Sequence, residues 1–363
     1  MTPDVRSIVW LSAVAWMLAG CGDDGSSASD ATTQGASSSA TSTTAAGSTT
    51  AASLETTGVA TSGSAGTTTP GADSTSAGSS DGSSDGETTS GLQTCRGRVP
   101  VEFDDGTNCG ASPVIEVHQF DANTVILRQS LCTSFEGPLM YLLFGTDQVL
   151  LQDTGAGGIP IAATVQGIVS DWLAANGRTS IELLVTNSHG HGDHTAGNGQ
   201  FAGLPDTTVV GSSQAAVAAY FGIDDWPTQI ITHDLGGRLV DVIPIPGHQS
   251  SHVALYDHDT GWLMTGDTLY PGRLYIDDFP TYVTSINRLV DHTADLEVCQ
   301  VMGTHIEMTN TPGQDFAFGA TMHPDEHPLA LTRDHLVELR DAVMAMGGSP
   351  VVEAHDDFIV YPL

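Results

Sequence analysis

Three histidines and an aspartate fall within six residues at His189-Gly190-His191-Gly192-Asp193-His194, just after the apolar run Ile181–Thr186. Imidazole and carboxylate are the donors that borderline metals such as Zn²⁺ prefer. The two glycines let the backbone turn sharply enough to aim several side chains at one point. A merely solvated His-rich loop would not be matched by further donors downstream. Here three follow: His248 in Pro246-Gly247-His248, Asp267 in Thr265-Gly266-Asp267-Thr268, and His305 in Gly303-Thr304-His305. Asp153, in Gln152-Asp153-Thr154-Gly155, is placed in the same way.

Each of these groups follows the end of an apolar strand-like run. The β-rich runs Val114–His118 and Thr124–Arg128 predict strands, and Leu139–Phe144 with Val149–Gln152 predict a hairpin. Ile161, Val165, Ile168, Val169, Trp172 and Leu173 fall at helical spacing, with Gly177 suited to the left-handed stop. Thr208–Gly211 predicts a short strand, and Ser212 a helix cap for a segment running to about Phe221. Val240–Ile245 leads into His248, and His252–Tyr256 with Trp262–Thr265 predict a second hairpin, ending at Asp267. Pro280 suits the first turn of a helix to about His292, and Val298–Met302 leads to His305. Thr332 is placed to cap a helix to Met346, and Val351–Val352 with Phe358–Tyr361 are the closing strands. Strands interleaved with helices predict sheets covered by helices. Strand ends that share one edge would bring these distant donors together on rigid supports.

In this order the motifs resemble those of the metallo-β-lactamase-fold hydrolase superfamily, with the ligand set of glyoxalase II-type thioesterases. The ordered motifs run from Asp153 to His305, and the similarity covers most of residues 114–363. The resemblance implies an α/β fold: an αββα sandwich of two facing mixed β-sheets flanked by helices, with metals at one edge. It implies two Zn²⁺ ions, with Fe or Mn as alternatives. His189, His191 and His248 would hold the first ion, Asp193, His194 and His305 the second, and Asp267 both. Asp153 would orient a ligand from behind. A hydroxide shared by the ions would attack a carbonyl or phosphorus, with Asp193 as the catalytic residue that orients it or carries its proton.

Departures within the family narrow the chemistry. The β-lactamases generally carry Cys or Ser where Asp267 stands, and the diiron flavoproteins replace His191 by Glu. The thioesterases share all seven ligands, and Gly266–Arg273 is similar to their segment, but their basic glutathione-binding residues are not evident here. The expected substrate is a small ester, thioester, lactone or related electrophile. Two other classes stay open: an iron-dependent oxidoreductase like the persulfide dioxygenases, and a non-catalytic metal-binding envelope lipoprotein. Of the other histidines, His252 is placed at a strand start and is no ligand. His118, His233, His258, His292, His335 and His355 read as surface or structural. For His323 and His327, a place at the pocket mouth competes with such a role.

Composition divides the 363-residue chain. Residues 1–20 read as a signal peptide: Arg6, an apolar stretch from Ile8 to Leu18, then Leu18-Ala19-Gly20-Cys21. That ending resembles the lipobox of bacterial lipoproteins, which implies lipidation at Cys21. The expected location is a bacterial membrane lipoprotein facing the periplasm or cell surface, with the outer membrane favoured because no aspartate follows Cys21. Residues 21–91, mostly Ser, Thr, Gly, Ala and Asp, read as a disordered tether on the order of 45 Å from end to end. Residues 92–363 read as the hydrolase domain. All ten basic residues are arginine. From residue 92 on there are 34 acidic residues against nine arginines, a balance of −25. Such a surface repels phosphate backbones, which argues against nucleic acid but specifies no substrate; the expected small-molecule partner is what the resemblance implies. Cys95, Cys109, Cys132 and Cys299 suit disulfides in an exported chain. Three pairings are open, one of which closes a small Cys95–Cys109 loop.

Overall fold

A computed structural model of the chain describes Cys95 and residues 101–363. The expected signal segment, the lipid site Cys21 and the tether lie outside the described residues.

The first sheet contains β1 (Ile115–Asp121), β2 (Thr124–Gln129), β3 (Leu139–Phe144), β4 (Gln148–Gln152), β5 (Glu182–Thr186) and β6 (Thr207–Val209), side by side in chain order. The first four form an antiparallel meander, and β5 and β6 join in parallel. A parallel step needs a crossover, and α1 (Ile161–Ala175) supplies it between β4 and β5. The short α2 (Gly192–Thr195) and α3 (Gln214–Phe221) flank β6 in the chain. The second sheet is built from β7 (Ile231–Asp234), β8 (Leu239–Pro244), β9 (Val253–Asp257), β10 (Trp262–Gly266), β12 (Gln300–Gly303) and β13 (Ala330–Leu331), in the order β13-β12-β10-β9-β8-β7. β11 (Arg273–Ile276) instead joins β15 (Ile359–Pro362) and β14 (Glu353–Ala354) in a third, three-stranded sheet. Among the described residues the remaining α-helices are α4 (Phe279–His292) and α5 (Arg333–Met346).

All six residues of β3, Leu-Met-Tyr-Leu-Leu-Phe, are buried. Successive side chains of a strand point to opposite faces, so β3 feeds two cores. Leu139, Tyr141 and Leu143 join Val242, Leu255 and Trp262 of the second sheet. Met140, Leu142 and Phe144 join Ile161 and Val165 of α1. On the far face of the second sheet, Ile243, Ala254 and Leu263 share a core with Ile286 of α4 and Leu339 of α5. The layers therefore run helix, sheet, sheet, helix, and the expected αββα sandwich is borne out. Continuous apolar runs, rather than alternation, mark strands covered on both faces.

Several local expectations shift. Ser213, not Ser212, caps α3, its hydroxyl accepting from the Ala216 amide at 3.3 Å. Val351 and Val352 are exposed, and the strand there is Glu353–Ala354. The disulfides are Cys95–Cys299 and Cys109–Cys132, so the small Cys95–Cys109 loop does not form. Cys109–Cys132 ties the segment before β1 to the β2–β3 loop.

Arg238 joins the two sheets. Its Nε and Nη2 donate to Asp257 Oδ1 and Oδ2 at 2.9 and 2.7 Å, and Nη2 also donates to Thr124 Oγ1 at 2.9 Å. Nη1 donates to the Asn123 carbonyl at 2.6 Å. Both charges are buried. Removing one partner of a buried pair leaves the other uncompensated, at a cost of about 3–5 kcal/mol. Arg238→Met is expected to lose that much in urea unfolding, with the slope kept. A loss under about 1 kcal/mol would show that the pair does not hold the sheets together.

Candidate metal centre

The donors converge because five strands end at one edge. β4 and β5 are parallel neighbours. β8 and β10 both run antiparallel to β9, and β10 runs parallel to β12, so these three also point one way. Asp153 follows β4, the histidine loop follows β5, and His248, Asp267 and His305 follow β8, β10 and β12. Two glycines allow the close approach. Gly266 has φ +54°, and a Cβ there would strike the His252 ring and stand 2.9 Å from Ser188 Cβ. Gly247 has φ +142°, and a Cβ would collide with the Tyr282 backbone.

All seven predicted donors meet, in two groups that share Asp267. In the first, His189 Nε2 and His191 Nδ1 are 2.9 Å apart, and His248 Nε2 lies 3.2 and 3.1 Å from them. Asp267 Oδ2 stands 3.7 Å from His189 Nε2 and 3.5 Å from His248 Nε2. In the second, His194 Nε2 is 3.0 Å from Asp193 Oδ2, 3.3 Å from His305 Nε2 and 3.4 Å from Asp267 Oδ2. His305 Nε2 is 3.3 Å from both Asp193 Oδ2 and Asp267 Oδ1. Donors held at zinc-like distances around a tetrahedral centre would stand roughly 3.3–3.4 Å apart. The observed separations bracket that value.

The far side of each ring shows which nitrogen carries the lone pair. His248 Nδ1 donates to the Tyr275 carbonyl at 2.6 Å, and His305 Nδ1 donates to the Glu136 carbonyl at 2.8 Å. His194 Nδ1 donates to Asp153 Oδ2 at 3.0 Å. Ser188 Oγ donates to the same oxygen at 2.8 Å and so accepts from His189 Nδ1 at 3.1 Å. Asp153 Oδ1 also accepts from the Ser188 amide at 2.7 Å. Carbonyl and carboxylate acceptors fix these tautomers and orient the rings. They leave the Nε2 lone pairs of His189, His194, His248 and His305 facing the two groups of donors. Lone pairs set this close repel unless a cation lies between them. The residues fit metal ions.

The electrostatics differ between the two groups. Burial pushes the His189 ring well below the usual histidine range, and burial likewise lowers His248. Neutral rings are what a metal requires. Burial disfavours the charge on Asp267, yet the rings of His194, His305 and His189 hold its carboxyl well below the usual range. Burial also opposes charge on His194 and His305, but Asp267 and Asp193 overcome it and raise both rings well above the ordinary value. This second group calls for positive charge.

Other residues complete the centre. Thr304 Oγ1 donates to Asp267 Oδ1. Ser188 stood next to the motif in the sequence, whereas the carbonyls of Glu136 and Tyr275 gave no sequence signal. His252 just precedes β9 and is buried, stacked on His189 with ring centroids 4.6 Å apart. His323 is buried, bonded to Glu326 at 3.0 Å and stacked on Phe316. His327 Nε2 binds Asp357 at 2.8 Å. The remaining histidines pair locally, as His258 and His292 do with Asp241. Cys95 and Cys299 lie beside Glu297, but their disulfide leaves no thiolate to bind a metal.

Comparison with known proteins points the same way. Hydroxyacylglutathione hydrolase of Methylococcus capsulatus (strain ATCC 33009 / NCIMB 11132 / Bath) is 32% identical over 41% of this chain and 59% of that one. The match thus spans less than two thirds of that relative. The enzyme of the same name from Synechococcus sp. (strain JA-3-3Ab) is 31% identical over 52% of this chain and 71% of its own length. Acyl-coenzyme A thioesterase MBLAC2 of Bos taurus is 27% identical over 42% and 67% respectively. The family model described as the metallo-beta-lactamase superfamily matches residues 134–347, which contain all seven donors. With its strand-end donors in that order and its layers in that arrangement, the chain belongs to the metallo-β-lactamase superfamily.

Proposed function

We propose that the protein is a dinuclear zinc hydrolase acting on a small ester, thioester, lactone or related electrophile. The observation that carries this reading is the convergence of imidazole lone pairs, with their outer nitrogens locked, on a shared carboxylate. His189, His191 and His248 would hold one ion, Asp193, His194 and His305 the other, and Asp267 both. Bound zinc supplies Lewis acidity and makes water a usable nucleophile at neutral pH. The chain's own residues do the positioning. Asp153 holds His194 and Ser188, and Ser188 holds His189. Asp193, part-exposed at the rim, orients the attacking water or takes its proton. His191 is exposed and marks the open side, by which substrate enters. The hydroxyacylglutathione hydrolase and acyl-coenzyme A thioesterase relatives support acyl transfer to water.

The test is a panel of chromogenic esters, thioesters, lactones and phosphodiesters, run with zinc-loaded and chelated protein. Hydrolysis of an acyl substrate should vanish on chelation and return with zinc. Failure of the loaded protein on the whole panel would end the reading.

The lipid anchor at Cys21 and an extracytoplasmic location are part of the same proposal, and the two disulfides support export. Full-length protein expressed in a Gram-negative host should fractionate with membranes, and Cys21→Ser should release it. Equal release of both proteins would refute the anchor.

A further inference from the structure

The strand ends of the first sheet that lead to the donors carry a polar row inside an apolar core. Tyr141 of β3 is registered with Gln152 of β4, and Gln152 with Thr186 of β5. Alternate side chains of a strand share a face. Tyr141, Leu150 of β4 and Leu184 of β5 all lie in the core between the two sheets, so Gln152 and Thr186 point into it as well. Both are buried, at 0% and 1% exposure. Asp153 follows Gln152 directly, and its amide donates to the Thr186 carbonyl at 2.9 Å. The row thus lies immediately beneath Asp153 and the start of the histidine loop.

Tyr141 is satisfied, because its hydroxyl donates across the gap to the Gly303 carbonyl. The other two members of the row are not. Neither amide atom of Gln152, nor Thr186 Oγ1, has a hydrogen-bond partner among the described residues. Two other glutamines of this sheet are bonded. Gln148 Oε1 lies 2.6 Å from His233 Nε2. Gln129 Oε1 accepts from the Ala156 amide at 2.8 Å, and its Nε2 donates to the Gly157 carbonyl at 3.0 Å. A side-chain amide has two hydrogens to donate and an oxygen that accepts, and burying it unbonded is costly. An apolar residue at 152 would simply continue the run Val149–Leu151. The partner that Gln152 and Thr186 call for must both donate and accept. It must also be small and neutral, in a core that contains Leu150, Leu184, Met264 and Met302. Water has those properties, and buried water is a regular partner of such groups.

We propose that Gln152 and Thr186 share a buried water between the sheets, beneath the metal centre. It joins the ends of β4 and β5, the strands that lead into Asp153 and the histidine loop. The site does not depend on which reaction the metal centre performs.

A high-resolution crystal structure of the full chain should show one water about 2.7–3.2 Å from both the Gln152 amide and Thr186 Oγ1. A direct Gln152–Thr186 bond, or an amide bonded elsewhere with no water, would overturn the proposal. Urea unfolding of Gln152→Met, Thr186→Val and the double variant tests whether the two residues share that water. Each single change leaves the other group and the water short of a partner, and should raise the unfolding equilibrium constant about tenfold. The double variant removes both groups and frees the water, so it should be no less stable than either single one. Losses that simply add, or a Gln152→Met protein more stable than wild type, would count against a shared water. The wild-type structure decides the question even where a variant does not fold.

Discussion

Asp267→Ala is expected to abolish hydrolysis, by about 10³-fold or more. Asp267 is the carboxylate common to both donor groups, with Oδ2 facing His189, His194 and His248 and Oδ1 facing His305. Without it both half-sites lose a donor and the negative charge that offsets two cations. Several kcal/mol of transition-state stabilisation depend on such ions, and roughly 1.4 kcal/mol is tenfold in rate. Asp267→Asn should fail almost as badly, because the amide keeps the shape but not the charge. The buried histidines should also lose metal on dialysis in both variants. Turnover within about tenfold of wild type would mean that Asp267 does not unite the site.

Asp153→Asn should weaken zinc binding by about 10–100-fold, although Asp153 is not itself placed as a donor. Asp153 is fully buried and receives three hydrogen bonds, from the Ser188 amide and hydroxyl and from His194 Nδ1. An asparagine can still accept from the Ser188 amide. Its NH₂ cannot accept from His194, so the ring is free to change tautomer and turn a protonated Nε2 toward the metal. Asparagine isolates this effect, because Asp153 has φ +68° and Asn tolerates the left-handed region. Asp153→Ala would add backbone strain of about 1–2 kcal/mol and confuse the two causes. Competition against a chromophoric chelator measures the shift, and unchanged affinity in Asp153→Asn would remove Asp153 from the site's support.

The donors were legible because their chemistry is written in residue type. Few roles other than metal binding explain His189-x-His191-x-Asp193-His194 followed by three more donors at strand ends. The doubly buried strands β3, β4 and β8 were legible for a related reason, since long apolar runs bounded by turns have few other places to go. The short strands β7, β11 and β13 were missed because two to four residues carry too little periodicity. The carbonyl partners of His248 and His305 were missed because every residue has a carbonyl, and only the fold decides which one faces a ring. The disulfide pairing was open for the same reason: Cys95 and Cys299 are 204 residues apart, and only the folded chain brings their Cα atoms to 5.2 Å.

The most direct measurement is metal stoichiometry by mass spectrometry on wild-type protein saturated with zinc and then desalted. The paired donor groups predict close to two zinc ions per chain. One ion, or none, in fully folded and carefully loaded protein would contradict the dinuclear centre.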